Sequence, residues 1–339
     1  MDFDEQDQII SLYQSVADWI LIITMPIHFF GLYCVLWQSP HFHKHFVYAL
    51  GAHVFLSFLE TIYSLIMRPA VYIPIIGIYT DGILTSMFNI HTFIQITGQI
   101  LIVELNSSVL VHIALLRLKV IIPVTHRYYN FVIKLGKLLL VYVYLMTAVS
   151  AIGFCLLYEN QMEAKMYYQQ KLSSLPKSFW QPNFVVSTGR SENFHVFILV
   201  GVIFLIVHTL IGVSLLGVAY YILLRTKKRM SEKVLAAQRS YIHMLFFRIL
   251  IMVGLNIVPY GIFAAAMSLQ MSDPFIMSLS LFLFAMYGTA STSSLIFTTK
   301  PYLKVLLSCS RKSTDSVIRD TIDHNSHVAG STLQTKGDN

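Results

Sequence analysis

The chain has 339 residues, of which 55% are hydrophobic and 12% are charged, and its formal net charge is +7. This composition excludes an ordinary soluble globular protein and indicates one membrane domain with several spans and short tails. Because the basic residues stand at the ends of apolar runs, they report membrane topology, and nucleic-acid binding is not their explanation.

Seven apolar runs are long enough to cross a bilayer, which takes roughly 20 residues for ~30 Å of hydrocarbon. We predict spans at about 17–37, 46–67, 91–116, 138–158, 195–224, 241–268 and 276–298. Residues 1–16 precede them as an acidic tail, and residues 299–339 follow as a tail that we expect to be largely disordered after about residue 315. The predicted fold is an all-α membrane protein, a seven-transmembrane helix bundle.

The distribution of positive charge predicts the orientation of the bundle. The first basic residue is Lys44, whereas the loop between the fifth and sixth spans, here called the basic loop, carries Arg225, Lys227, Lys228, Arg229, Lys233 and Arg239. Short loops rich in lysine and arginine stay in the cytoplasm. We therefore predict an extracellular N-terminus, a cytoplasmic C-terminus and a basic loop that continues the sixth helix towards a cytoplasmic partner.

Two loops on the predicted outer side are long. The first, residues 68–84, is apolar but is interrupted by prolines and glycines that oppose a helix, so we expect it to pack over the mouth of the bundle. The second, about 159–194, either forms an aromatic lid over a pocket or lies partly ordered in solvent. Its aromatic residues include Tyr167, Tyr168, Phe179, Trp180 and Phe184.

A ligand pocket in such a bundle would lie among the outer halves of the third, fifth, sixth and seventh spans. The residues that we expect to face it are Gln95, Gln99, Asn256, Tyr260 and Tyr287. Glu60 and Glu104 are acids at membrane depth, which either form an ion or proton site or accept hydrogen bonds from Asn106, Ser107 or a neighbouring helix. The hydrogen-bonding interpretation is favoured.

Two residues of the sixth span, Arg248 and Pro259, have expected roles in signalling to the cytoplasmic side. Residues 249–268 alone can cross the membrane, which places Arg248 at the inner interface, near lipid phosphates or a partner. Pro259 frees a carbonyl and kinks the helix, so that tilting of its outer half would move the basic loop. Proline is also common in membrane helices that do not move, and both interpretations stay open.

The remaining motifs do not indicate catalysis. The seventh span is rich in small and hydroxyl residues, which is typical of a helix-packing seam. No glycine-rich phosphate loop, CxxC pair or HExxH helix occurs, so we predict no enzyme, metal site or cofactor. Cys309, close to Arg311 and Lys312, is either palmitoylated or a free cytoplasmic thiol.

Five stretches spread over residues 31–304 carry a family resemblance: GLYCVLWQSPHFHKHFVYAL, RPAVYIPIIGIYTDGIL, LLRLKVIIP, AAQRSYIHMLFFRILIMVGLNIVP and GTASTSSLIFTTKPYLK. In this order and spacing they resemble the nematode serpentine chemoreceptors of the Str superfamily, nearest the Srh and Sri classes. The resemblance implies a G-protein-coupled receptor in the plasma membrane, on the cilia of sensory neurons. It also implies that the receptor binds an odorant or another small environmental chemical and signals to a heterotrimeric G protein.

The resemblance further implies roles for single residues. Arg117 matches the arginine at the inner end of the third helix in such receptors, and Pro301 and Tyr302 match the Pro-Tyr end of the seventh. Leu116 precedes Arg117, so the acidic neighbour familiar from rhodopsin-like receptors is absent. The outer end of the third span has no cysteine, so the usual disulfide to the second outer loop is unsupported.

Two other functions are compatible with seven spans. A ligand-gated channel of the insect odorant-receptor type would have its N-terminus inside, opposite to the charge bias of this chain. A small transporter would show internal repeats and paired intramembrane charges, and neither is clear in this sequence.

Overall fold

A computed structural model describes residues 3–39, 44–73, 75–122, 129–155, 158–189, 192–226, 230–269 and 273–308. Some predictions of the previous section lie outside this part of the chain. They concern the tail beyond residue 308, Lys227, Lys228, Arg229, the side chain of Lys233, and Cys309.

Seven helices of the described residues are long and apolar enough to cross a membrane, so the protein is a seven-transmembrane helix bundle, as predicted. Six of them are α1 (Phe3–Trp37), α2 (Lys44–Met67), α4 (Thr92–Ile121), α5 (Tyr129–Cys155), α7 (Glu192–Thr226) and α10 (Pro274–Thr298). The sixth span is composite, because α8 (Glu232–Met252) passes through a π-helical turn (Val253–Ile257) into α9 (Val258–Leu269). Two shorter helices are α3 (Ile83–Ser86) and α6 (Gln161–Lys171).

Several helices extend past the apolar runs because polar residues stabilise their first turns. Helix α1 begins at Phe3, with Asp4 and Glu5 in its first turn, where negative charge opposes the positive end of the helix dipole. Helix α8 begins directly after Ser231, whose Oγ accepts a hydrogen bond from the backbone N–H of Val234. The sixth span is thus prolonged by a helical extension, as the sequence of this region predicts.

The centre of the bundle is formed by α2, which packs against α1, α4 and α10, and by α4, which packs against α5 and α7. The predicted seam of small residues in α10 faces α2, where a Cβ at Gly288 would clash with the backbone carbonyl of Ser57. Buried histidines bond to this seam: His28 contacts Thr292 at 3.0 Å, and His53 contacts Ser291 at 3.1 Å. Hydroxyls therefore satisfy polar groups inside the bundle, where the lipid offers no partners.

A small antiparallel sheet closes one end of the bundle. Strands β1 (Pro69–Tyr72) and β2 (Ile76–Thr80) form a hairpin, and β2 also pairs with β3 (Phe184–Ser187). We call the three strands together with α6 the cap, and the bundle end that carries it the cap end. The first loop is non-helical and packs over the bundle, as expected, whereas its pairing with the second loop was not predicted.

The second loop is folded into the cap through its aromatic residues. Phe179 and Phe184 are fully buried, and they pack with Tyr72 and Tyr168 into a cluster separate from the main core. Lys165 of α6 donates from Nζ to the carbonyl of Gln181 at 2.9 Å, and its partial burial lowers the pKa of this amine. Of the two alternatives for this loop, the structure corresponds to the lid.

Candidate ligand-binding site

A cavity of ≈ 250 Å³ lies beneath the cap and between the spans. The cap contributes apolar side chains to its roof: Val71, Ile76, Ile78, Val185 and Val186. Aromatic residues from α4, α5, α9 and α10 and from the start of the second loop contribute much of its wall: Phe93, Phe154, Tyr158, Tyr260, Phe263 and Phe284. Such a cavity suits a small, mostly apolar molecule.

A few polar groups interrupt this apolar lining. Gln99 of α4 donates from Nε2 to the Ser64 hydroxyl at 2.8 Å, and its Oε1 has no hydrogen-bond partner among the described residues. Deeper along α4, Glu104 accepts a hydrogen bond through Oε1 from the Ser150 hydroxyl at 2.5 Å. Its second carboxyl oxygen, Oε2, is buried and has no protein partner in the described part of the chain.

At the rim of the cavity, two polar residues hold the outer edge of β3. The side-chain amide of Gln161 bonds to the backbone of Val186 as a neighbouring strand would. Its Oε1 accepts from the Val186 N–H at 2.8 Å, and its Nε2 donates to the Val186 carbonyl at 3.1 Å. Glu159 accepts from the Ser187 hydroxyl and from the N–H of Thr188, each at 2.9 Å. Both oxygens of Glu159 are thus engaged in positioning the cap, and an otherwise open strand edge is covered.

Of the five residues predicted to face a ligand, Gln99 and Tyr260 line the cavity. The Tyr260 ring rests on α7, where a Cβ at Gly201 would come 2.6 Å from its hydroxyl oxygen. Tyr260 is therefore held between two helices while its ring borders the cavity. Tyr260 stands three residues after the end of the π-helical turn.

The other three predicted residues, Gln95, Asn256 and Tyr287, do not line this cavity. Gln95 donates to the Thr85 hydroxyl at 2.8 Å and to the carbonyl of Ile90 at 2.6 Å, which anchors the segment around α3. Asn256 is fully buried inside the π-helical turn, and Tyr287 packs in the main hydrophobic core. The amide nitrogens of Gln95 and Asn256 thus bond within the fold and are not directed at the cavity.

Glu60 lies at the centre of a buried hydrogen-bond network. Its Oε2 accepts from Asn106 at 2.8 Å, and its Oε1 accepts from Asn256 at 3.2 Å. This arrangement links α2, α4 and the π-helical turn and favours the hydrogen-bonding interpretation of Glu60. Ser107, the other residue proposed as a partner, donates instead to the carbonyl of Val103 in its own helix at 3.0 Å.

At the end of the bundle opposite the cap, the Arg117 guanidinium is held between two aromatic rings. Its Cζ lies 3.5 Å from the ring centroid of Phe46 and 4.2 Å from that of Tyr241, and the residue is buried. Cation–π contacts of this kind stabilise a desolvated arginine. The stack connects α4 to α2 and α8.

The position predicted for Arg248 is wrong. It does not reach the membrane interface, since its side chain is 0% exposed and points into the core of the bundle. None of its three guanidinium nitrogens has a hydrogen-bond partner among the described residues, and the phenols of Tyr287 and Tyr302 are its electrostatic neighbours. The inward direction of the Arg248 side chain agrees with its neighbours in α8, because Leu245 and Ile249 are buried in the main core.

The other residues with expected signalling roles differ in their burial. Tyr302 is fully buried and bonds to the Ser39 hydroxyl, whereas Pro301 is exposed. Arg239 is half-buried in a shallow groove beside His243 and Phe247 of α8. Pro259 is buried in the first turn of α9, directly after the π-helical turn.

Seven membrane-length helices, a capped cavity at one end and buried arginines at the other define a multi-pass membrane protein of the seven-helix receptor class. The sequence profile of the serpentine type 7TM GPCR chemoreceptors Srh matches residues 10–312. The chain belongs to this family and is a chemosensory G-protein-coupled receptor. No curated protein matches it. The channel and transporter alternatives find no support.

Proposed function

We propose that the cavity beneath the cap is the site at which this receptor binds a small environmental chemical. The observation that carries the proposal is the enclosure of an apolar cavity by both long loops and by α4, α5, α7, α9 and α10. Gln99, Glu104 and Tyr260 supply the polar groups that would orient a bound molecule. The cap end is then extracellular, and the opposite end faces a heterotrimeric G protein in the cytoplasm.

Coupling between the two ends runs through the sixth span. Tyr260 contacts the cavity at the start of α9, while Asn256 in the π-helical turn is bonded to Glu60. A ligand that moves Tyr260 therefore acts on a segment whose helical winding is already irregular, and such turns often occur at functional sites. Binding would shift the population of α8 positions and so change the packing of Tyr241 against Arg117.

Two neighbouring alanines of α9 provide a matched test of the site. Ala264 lines the cavity, whereas Ala265 is exposed on the other side of the helix. In cells screened with a volatile-chemical library, Ala264→Trp should abolish the response to every active compound because the indole fills the cavity. Ala265→Trp should leave the responses within about twofold, with equal surface expression. Equal responses of both variants would place the ligand elsewhere.

The orientation has its own test. An epitope at the N-terminus should be stained on intact cells, and one inserted between Lys228 and Lys233 only after permeabilisation. The reverse pattern would contradict the charge argument and invert the assignment of the two ends. Localisation on the cilia of sensory neurons is proposed from the family resemblance, and a fluorescent fusion in such neurons tests it.

A further inference from the structure

The described part of the protein provides a hydrogen-bond donor for only one of the two carboxyl oxygens of Glu104. The residue is 5% exposed and lines the cavity on α4. Ser150 donates to Oε1, but Oε2 has no hydrogen-bond partner in the described residues. A buried acceptor without a partner is energetically costly. A molecule in the cavity that carries a donor would remove this cost.

The charges around the cavity favour a cationic donor. The described residues that line the cavity include two carboxylic acids, Glu104 and Glu159, but no lysine, arginine or histidine. Lys165 and His91 belong to the same end of the protein, but they lie outside the lining, and the Lys165 amine is bonded to a cap carbonyl. A cleft lined by one sign of charge concentrates ligands of the opposite sign.

The rest of the lining defines the remainder of such a ligand. The walls are aromatic and aliphatic, so they match a hydrocarbon skeleton and can also attract an ammonium group to a ring face. The Tyr260 hydroxyl lies close enough to Glu104 for an electrostatic interaction. A cavity of ≈ 250 Å³ restricts the ligand to a small molecule.

We propose that this receptor recognises small apolar amines, whose ammonium group binds Glu104 while their hydrocarbon part fills the aromatic cavity. This inference rests on the proposed function of the cavity and names its ligand class. An alcohol of the same skeleton makes only a neutral hydrogen bond to Glu104, and a carboxylate is repelled by it. Hydrogen bonds between charged groups are roughly twice as strong as neutral ones.

The test uses three matched sets of probes, built on butyl, hexyl and phenethyl skeletons, each as the amine, the alcohol and the hydrocarbon. Dissociation constants come from ligand-dependent thermal stabilisation of the purified full-length receptor in nanodiscs. For at least one skeleton, the amine should bind the wild type about 10- to 100-fold more tightly than the alcohol. Glu104→Gln should bring amine and alcohol within about threefold of each other.

Three variants locate the charge. Glu163 of α6 is exposed and does not line the cavity, so Glu163→Gln removes the same charge and should keep the amine preference. Glu159→Gln tests the other acid of the lining: it should weaken amine and alcohol binding alike, because both oxygens of Glu159 accept hydrogen bonds that position the cap. Glu104→Asp retains the charge and should keep a preference for amines at lower affinity, which covers the case in which Glu104→Gln fails to fold.

The outcomes separate this inference from the proposed function. Equal binding of amines and alcohols to the wild type, or no binding of any amine, overturns the amine assignment and leaves the cavity as a ligand site. If Glu159→Gln removes the amine preference and Glu104→Gln does not, the assignment of the ammonium site to Glu104 is wrong. An amine preference that survives Ala264→Trp, which fills the cavity, overturns the proposed site itself.

Discussion

Arg248→Met should make the receptor more stable and less active. The guanidinium is 0% exposed and its three nitrogens have no hydrogen-bond partner in the described part of the protein. Replacing a buried ion by an apolar side chain of similar size often stabilises a protein by about 1–4 kcal/mol. We expect a gain in this range, seen as an apparent melting temperature that is higher by about 2–4 °C per kcal/mol.

Activity should fall in the same variant because the unpaired charge favours conformations in which α8 moves and the guanidinium gains a partner. Basal and ligand-driven nucleotide exchange on a co-expressed G protein should therefore drop by about tenfold or more, at equal surface expression. Arg225→Met is the matched control, since Arg225 is exposed and stacks on Tyr221, and its effect on stability should stay within about 0.5 kcal/mol. A loss of stability by more than about 1 kcal/mol in Arg248→Met would show that the guanidinium has a stabilising partner and would refute this reasoning.

Three further substitutions, one of them with a matched control variant, test the packing of the bundle and the path between its ends. Gly288→Ala should destabilise the receptor by about 1–3 kcal/mol in thermal unfolding, because the new Cβ meets the Ser57 carbonyl. Gly217→Ala, with no atom within 4 Å of the new Cβ, should be neutral or stabilising, and equal effects would contradict the close approach. Pro259→Ala should change nucleotide exchange more than ligand affinity; equal losses in both assays would indicate misfolding. Arg117→Gln should reduce G-protein turnover at near-normal surface expression, and unchanged turnover would remove its proposed role.

The spans were predictable because their signal is local. A run of apolar residues long enough to cross a bilayer is visible in the sequence whatever the helix packs against. The helix extensions were also visible where a capping residue precedes a run of helix formers, as at Ser231. The predictions of helix ends therefore depend on polar residues outside the apolar runs.

Helix phase and non-local pairing were not predictable in the same way. In a regular α-helix, Asn256 and Tyr260 would lie on the same side. Asn256 instead lies in a π-helical turn, which changes the angular position of every later residue. Residues 249–268 alone can cross the membrane, so span length predicts an interfacial side chain for Arg248, whereas the side chain is buried inside the bundle. The strands of the cap are four or five residues long, and β2 pairs with β3 across more than 100 positions of the sequence, for example Gly77 with Val186.

The cap also determines how the receptor responds to its chemical surroundings. No disulfide occurs among the described residues, so backbone hydrogen bonds between β2 and β3 join the two loops. A reducing medium should therefore leave the ligand cavity closed. Because main-chain atoms make these bonds, roof residues such as Val71, Ile78 and Val185 can be exchanged for other side chains without loss of the strand pairing. Single substitutions in the roof would thus change the lining of the proposed ligand site while the scaffold stays the same.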